Sequence, residues 1–177
     1  MEELQENQAN LTVTKIHTNA LCKNYPLETL IANRYFSQLT VPQKDIFKLL
    51  ANTRIKDLPY NVVVEKMGLL IIEVHANCGQ KLIQNPEDEQ EQKLHIKTVL
   101  NFCEDLVKYK GTLTIEEVRF AFNKGYKKEY GEYFGLNNKT YFSWIDQYTF
   151  CDDRVKASKA ITDTISLIEN PPPPPLT

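Results

Sequence analysis

The amino-acid sequence predicts an all-α protein, a compact bundle of six or seven helices with a helix-turn-helix-like C-terminal segment and flexible termini. Apolar residues recur at three- and four-residue steps, which is the period of a helix with one buried face. Prolines and glycines interrupt this pattern where helices would start and stop. A hydrophobic content of 42% in 177 residues is enough to bury a core, so a wholly disordered chain is excluded.

The N-terminal part begins with a polar segment, residues 1–14, that lacks a sustained apolar period and is expected to be a flexible arm. A helical scaffold is expected over residues 15–112. The apolar period after Pro26 predicts a short helix in this scaffold. Pro42 then stands at the first-turn position of the next predicted helix, where its missing N–H is tolerated. We expect these two helices to pack together.

The middle of the scaffold predicts two long helices. Pro59 precedes the first, which is apolar over much of its circumference. The β-branched valines at its start also fit a strand, but the segment is too long for a strand and lacks clean alternation. An acidic break after Pro86 leads to the second helix, which ends at Gly111. We expect the helices over Val62–Val74 and Ile96–Val107 to form the centre of the bundle.

The C-terminal part, residues 113–169, is expected to be a helix-turn-helix-like subdomain. It opens with a capping box, in which the Thr114 hydroxyl accepts from the Glu117 N–H and the Glu117 carboxylate accepts from the Thr114 N–H. Asp152 and Asp153 suit the positive end of a final helix. A proline-rich tail is expected over residues 170–177, after this helix has ended.

The segment Lys127–Asp146 has the spacing of a helix-turn-helix. Such a motif needs a small residue inside its first helix, where the second crosses, and a glycine with positive φ in its turn. Gly131 and Gly135 are expected to fill these two places. The alternative is a helical hairpin whose aromatic residues belong to the core and whose glycines merely turn the chain. Asn137 or Asn138 is expected to cap the second helix. The exposed start of that helix would then be the part that meets a ligand.

Polar and basic side chains near the predicted second helix are the candidate nucleic-acid contacts. Lysines neutralise phosphates, and short polar side chains near the start of a recognition helix reach base edges. A net charge of −2 and a pI near 6.0 give the molecule no large basic field, so any contact with DNA is expected to be local. The expected nucleic-acid-binding residues are Lys127, Lys128, Asn138, Lys139 and Ser143.

Two features allow a different ligand. Exposed aromatic side chains stack on single-stranded bases or anchor a protein partner with equal ease. The prolines from Pro171 to Pro175 favour an extended conformation that fits an aromatic groove on a partner protein, although they also serve simply to end the last helix. The aromatic residues concerned are Tyr126, Tyr130, Tyr133 and Phe134.

A longer pattern surrounds this segment: a capped helix, a GxxxEYGxxxGL step, a WIxxY helix and a following arginine. Over Leu113–Ala157 the sequence thereby resembles small proteins encoded by bacteriophages and mobile elements of Bacteroidetes. The resemblance implies a role associated with DNA replication, in the manner of helicase loaders, and no catalytic residue. The matching positions are Gly125, Glu129, Tyr130, Gly131, Gly135, Leu136, Trp144, Ile145, Tyr148 and Arg154.

The sequence offers no pattern that would indicate an enzyme. It contains neither a GxxxxGK[ST] phosphate loop nor a GxGxxG step, and its paired acids stand where helix capping explains them. Its cysteines and histidines lack the spacing of a zinc site, so reduced thiols are expected and no metal or cofactor. It has no signal-like start and no apolar run of about 20 residues, which predicts a cytoplasmic protein without membrane contact. The resemblance to phage and mobile-element proteins implies that this is the cytoplasm of a bacterial host.

These observations support a non-enzymatic, DNA-associated accessory protein of a phage or mobile element, one that contacts single- or double-stranded DNA, for example in replication. The alternative is a protein-interaction adaptor that uses the exposed aromatics and the proline tail and binds no nucleic acid. A third alternative is a small virion or assembly component.

Overall fold

The computed structural model describes residues 25–172 and confirms the all-α bundle. The expected arm, residues 1–14, and the last part of the proline tail lie outside the described residues. A 3-10 turn, Ile55–Asp57, links the third and fourth helices. The α-helices of the described part are α1 Leu27–Ile31, α2 Arg34–Ser37, α3 Val41–Leu50, α4 Tyr60–Asn77, α5 Glu89–Lys110, α6 Ile115–Tyr126, α7 Asn138–Thr149 and α8 Asp152–Glu169.

The described part contains eight α-helices rather than six or seven, because the chain after Pro26 forms two short helices instead of one. Asn33 separates them. Its side-chain oxygen accepts hydrogen bonds from the N–H groups of Tyr35 (2.8 Å) and Phe36 (3.3 Å), so it caps α2. An asparagine in extended conformation with this pattern of hydrogen bonds starts a new helix, which ends the previous one.

The longer helices begin and end close to where the sequence predicts. Pro59 precedes α4, which is one continuous helix, so the alternative of a strand is wrong. The C-terminal end of α4 is a Schellman motif: Gly79 has a φ of 66°, and the Gln80 N–H donates to the His75 carbonyl at 2.9 Å. The expected capping box is present at Thr114, where α6 starts.

The centre of the bundle is α6 rather than the pair of long helices. α6 packs against α3, α4 and α7, and its Val118 and Phe122 are fully buried. α4 and α5 pack on one side of this core and leave large apolar residues in solvent, among them Leu69 and Ile96, which are 57% and 56% exposed. The expectation fails because α4 is apolar on nearly all sides, so its sequence does not show which side is buried.

The N-terminal and C-terminal helices share one core across residue 112, the expected end of the scaffold. α8 packs mainly against α3 and also touches α1, α2 and α7. A hydrogen bond of 2.9 Å from the Gln43 side-chain amide to Asp153 joins the starts of α3 and α8. The last helix is thus held by the first ones, and α7 packs against both α6 and α8.

No helix in the described part is long and apolar enough to cross a bilayer. The cysteines of this part are free thiols: Cys103 is buried, while Cys78 and Cys151 are half-buried. Burial raises the pKa of the Cys103 thiol to about 11, so it stays protonated at neutral pH.

Candidate nucleic-acid interface

The chain leaves α6 through a second Schellman motif, which has a lysine where α4 has a glycine. The Glu129 N–H donates to the Lys124 carbonyl at 3.0 Å, and the Lys128 N–H donates to the Gly125 carbonyl at 2.9 Å. Lys128 has a φ of 62°, in the left-handed region that residues with a Cβ rarely adopt. The backbone turn therefore fixes the position of Lys128, and its side chain is exposed to solvent at the end of α6.

The expected position of the small residue in the first helix is wrong. Gly131 has a φ of 92° and lies in the connection between α6 and α7, as does Gly135 with a φ of 77°. This connection, from Lys127 to Asn137, is also longer than the three- or four-residue turn of a helix-turn-helix. The sequence pattern places both glycines in one motif, but a glycine's spacing does not show whether it lies in a helix or in a turn.

The close approach of the two helices is present, but at a different glycine. Gly125, in the last turn of α6, lies directly against the buried ring of Trp144 on α7. A Cβ at position 125 would lie 2.1 Å from Trp144 Cδ2, well inside van der Waals contact. Gly125 thus allows α7 to pack on α6 and fixes the orientation of α7.

One side of α7 packs on the core, and the other is exposed. The Asn137 side chain accepts from the Thr140 N–H at 3.2 Å and starts the helix, as expected. The exposed positions recur every four residues, which is the spacing of one helical face. We call them the α7 face: Lys139, Ser143 and Gln147. The buried positions are Tyr141, Trp144, Ile145 and Tyr148.

A cleft of about 250 Å³ lies between the α7 face and the connection that precedes it. Phe134 stands at this cleft with 95% of its surface exposed. The other aromatics expected to be exposed are half-buried. Tyr133, for example, sets its ring edge-on to Trp144 at 5.1 Å and its hydroxyl 3.2 Å from the Cys78 sulfur. Phe134 is therefore the one residue of that aromatic set that is free to meet a ligand.

The five expected nucleic-acid contacts differ in availability. Ser143 and Lys139 are exposed beside the cleft, and Lys127 is exposed at the end of α6, with its ammonium 6.0 Å from the ring of Tyr126. Lys128 is exposed but forms an ion pair with Glu132 at 2.8 Å. Asn138 is half-buried and its side-chain oxygen is enclosed by protein, so it does not belong to the exposed surface.

A buried polar network joins α6, α7 and α8, and the sequence shows only half of it. The Glu117 carboxylate caps α6 by accepting from the Thr114 N–H at 2.8 Å, as expected. Its other oxygen accepts from the Tyr148 hydroxyl at 3.1 Å and from Arg154 Nε at 2.8 Å. Burial, and then the nearby carboxylate, raise the pKa of Tyr148. These groups satisfy one another inside the protein, so they join helices and do not face a substrate.

A second cleft, of about 240 Å³, lies between α4, α5 and α7 and contains two histidines. His75 Nε2 lies 2.9 Å from the Tyr141 hydroxyl. Burial lowers the pKa of His75, with a smaller effect from His95, and burial also lowers the pKa of His95. Both rings therefore favour the neutral form. Among the described residues, no three histidine, cysteine or acidic side chains are grouped so as to hold a metal ion.

No protein-family model, curated protein or solved structure matches this chain. The resemblance of Leu113–Ala157 to small phage and mobile-element proteins therefore stays a prediction. What supports a function is the arrangement of Phe134 and the α7 face.

Proposed function

We propose that this chain is a non-enzymatic accessory protein that contacts single-stranded nucleic acid through Phe134 and the α7 face. The observation that carries the proposal is the almost complete exposure of Phe134 next to Lys139 and Ser143. An aromatic ring in solvent offers a stacking platform for any base, and each stacked base is worth about 1–3 kcal/mol. A nearby lysine and hydroxyl supply the phosphate contact and a hydrogen bond.

The charges favour a single strand over a duplex. The whole chain has a net charge of −2, and Glu132 neutralises Lys128 within the connection. In the described part of the chain, the ion pairs do not include Lys127 or Lys139. Two available lysines are few for a duplex, whose recognition draws on many phosphate contacts. They suffice beside a stacking residue.

The resemblance over Leu113–Ala157 supports a place in the replication of phage or mobile-element DNA inside a bacterial host. Single strands are exposed wherever a replicative helicase is loaded. A helicase-loader-like protein that holds such a strand needs an exposed aromatic and a few cations, and it needs no nucleotide-hydrolysing site of its own.

The test is a fluorescence anisotropy titration of a labelled single-stranded oligonucleotide at low salt. We expect Phe134→Ala to weaken binding by about 5- to 150-fold, since it removes one stacked base. The matched control is Phe150→Ala, which removes a ring that is 76% exposed and follows the last residue of α7. Equal affinities for wild type and Phe134→Ala, or a preference for duplex, would contradict the proposal.

The salt dependence measures how many phosphates are neutralised. With Lys127 and Lys139 as the contacts, the slope of log K against log salt is expected to be about −1.4 for a single strand. Lys139→Gln should reduce its magnitude by about 0.7. Lys159→Gln, on the exposed surface of α8, should leave the slope unchanged. A slope of the same size in Lys139→Gln would place the contact elsewhere.

A protein-interaction adaptor is the second candidate, because the same cleft beside Phe134 fits an apolar side chain of a partner. The prolines from Pro171 onwards would add a second contact. A flat oligonucleotide titration, together with co-purification of one defined partner that requires both Phe134 and residues 171–177, would favour this function over the first.

A further inference from the structure

The second cleft, between α4, α5 and α7, has the composition of a site for a small ligand. It has a volume of about 240 Å³, and its lining is mostly apolar. Ile71 and Val99 form a buried part of its wall, while Leu82 and Leu136 come from the connections before α5 and α7. A few polar side chains of the three helices reach the same space. Small-molecule sites in proteins combine an apolar wall with a few placed polar groups in this way.

Most of the polar groups in this cleft already form hydrogen bonds within the protein. His75 Nε2 and the Tyr141 hydroxyl lie 2.9 Å apart. The Thr98 hydroxyl donates to a backbone carbonyl of its own helix at 2.9 Å. Both carboxylate oxygens of Glu91 accept from backbone N–H groups of the segment before α5, at 2.6 and 2.8 Å. These side chains therefore shape the cleft and hold its walls together.

Two polar groups of the cleft are not used in this way. His95 is half-buried, and its ring forms no hydrogen bond or ion pair with the residues that the structure describes. The side-chain oxygen of Asn137 caps α7, whereas its amide nitrogen has no partner in the described part of the chain. The amide nitrogen only donates, and an imidazole donates from both nitrogens once it is protonated. A carboxylate complements such donors, because it only accepts.

We propose that the second cleft binds a small organic acid with an apolar body. Its carboxylate accepts hydrogen bonds from His95 and from the Asn137 amide, and its apolar body lies against Ile71 and Val99. The volume of the cleft is just below the usual range for drug-sized ligands, which suits a molecule of a few carbon atoms. The lining includes neither Phe134 nor the α7 face, so this site is independent of the proposed nucleic-acid contact.

Binding of such an acid is coupled to protonation of His95. The titratable groups that line the cleft are His75 on α4, Glu91 and His95 on α5, and Tyr141 on α7. Burial lowers the pKa of His95, so its ring is neutral in the free protein at neutral pH. A carboxylate in contact with the ring favours the charged form. The protonated ring also offsets the negative charge of Glu91, which would otherwise repel the acid. The protein therefore takes up a proton from the solvent as the acid binds.

The first experiment is isothermal titration calorimetry of the full chain with hexanoate at about pH 7.5. We expect a dissociation constant of about 1 mM or below. Titrations in two buffers with different ionisation enthalpies should show uptake of about one proton per bound hexanoate. From acetate to hexanoate the affinity should rise about fourfold per methylene group, because the apolar wall buries each one. Absence of binding, binding without proton uptake, or equal affinities for acetate and hexanoate would overturn the proposal.

The variant His95→Gln separates the carboxylate contact from the apolar contact. Glutamine is polar but takes up no proton, so hexanoate should bind about tenfold more weakly or worse, without proton uptake. The neutral analogue hexanamide should bind wild type and His95→Gln with similar affinity. Lys93→Gln is the matched control, because it removes an exposed cation of α5 that does not line the cleft, and hexanoate binding should stay unchanged. Far-UV circular dichroism confirms that each variant is folded. Proton uptake in His95→Gln equal to that of wild type overturns the assignment.

Discussion

Arg154 Nε donates to Glu117 Oε1 at 2.8 Å, and this contact joins the first turn of α8 to the first turn of α6. Glu117 is 0% exposed, and it also accepts from Thr114 and Tyr148. A buried carboxylate is tolerated only when its charge and its lone pairs are matched. Three helices therefore depend on one carboxylate, whose sequence neighbourhood shows only the capping role.

Replacing Arg154 should destabilise the fold strongly. Arg154→Met leaves the Glu117 carboxylate buried without its cation, and we expect a loss of about 3–5 kcal/mol in the free energy of unfolding. Arg119→Met is the control, because Arg119 is exposed on the same helix as Glu117, and its effect should stay within about 0.5 kcal/mol. Urea unfolding followed by circular dichroism measures both effects. Equal unfolding midpoints for wild type and Arg154→Met would show that the pair of Arg154 and Glu117 contributes nothing to stability.

Alanine should have opposite effects on stability at two helical glycines, Gly125 and Gly68, because their surroundings differ. Gly125→Ala places a methyl group inside the indole ring and should cost about 1–3 kcal/mol. Gly68→Ala meets its nearest neighbour at an ordinary distance and should stabilise α4 by about 0.5–1 kcal/mol. Trp144 is the sole tryptophan, so its fluorescence reports the disturbance directly. An unchanged emission spectrum in Gly125→Ala would show that α7 does not pack at this distance.

The two Schellman motifs predict a stabilising substitution. Lys128→Gly removes a Cβ from a left-handed backbone position and should stabilise the protein by about 0.5–1 kcal/mol, even with loss of the exposed ion pair to Glu132. Gly79→Ala introduces the same strain at the end of α4 and should cost about 1 kcal/mol. Thermal unfolding of both variants provides the comparison. A lower unfolding midpoint for Lys128→Gly would mean that the Lys128 side chain stabilises the fold by more than its left-handed backbone conformation destabilises it.

The second cleft predicts a loss of stability on mild acidification. Burial lowers the pKa of His75 in the folded state, so the unfolded chain binds a proton more readily. The stability that the neutral ring preserves is fully present above the ordinary histidine pKa of about 6.5 and is lost as the pH falls through the folded value. His75→Gln should therefore flatten the decrease in unfolding free energy between about pH 7.5 and pH 5.5. An equally steep decrease in His75→Gln would assign it to other groups, with His95→Gln as the next variant.

Local signals in the sequence predict the helices well, because they act within one turn of the chain. The capping box of Thr114 and Glu117, the cap at Asn137 and the stop at Gly111 depend on residues at most four positions apart. The error at Gly131 has the same origin. A glycine tolerates a helix as well as a turn, so only the neighbouring structure shows that position 131 has a positive φ.

The sequence alone predicts the all-α class, the order of the long helices, the caps at Thr114 and Asn137, and the polar residues Lys139 and Ser143 on α7. The packing of the helices shows which sides of α4 and α5 are buried, that Trp144 packs against Gly125 rather than Gly131, and that Phe134 is the exposed ring among the four aromatic residues around the connection. The difference arises from how far apart along the chain the interacting residues lie. Helix formation depends on near neighbours, whereas the burial of a side chain depends on elements such as α3 and α8, which lie about a hundred residues apart and meet only in the folded core.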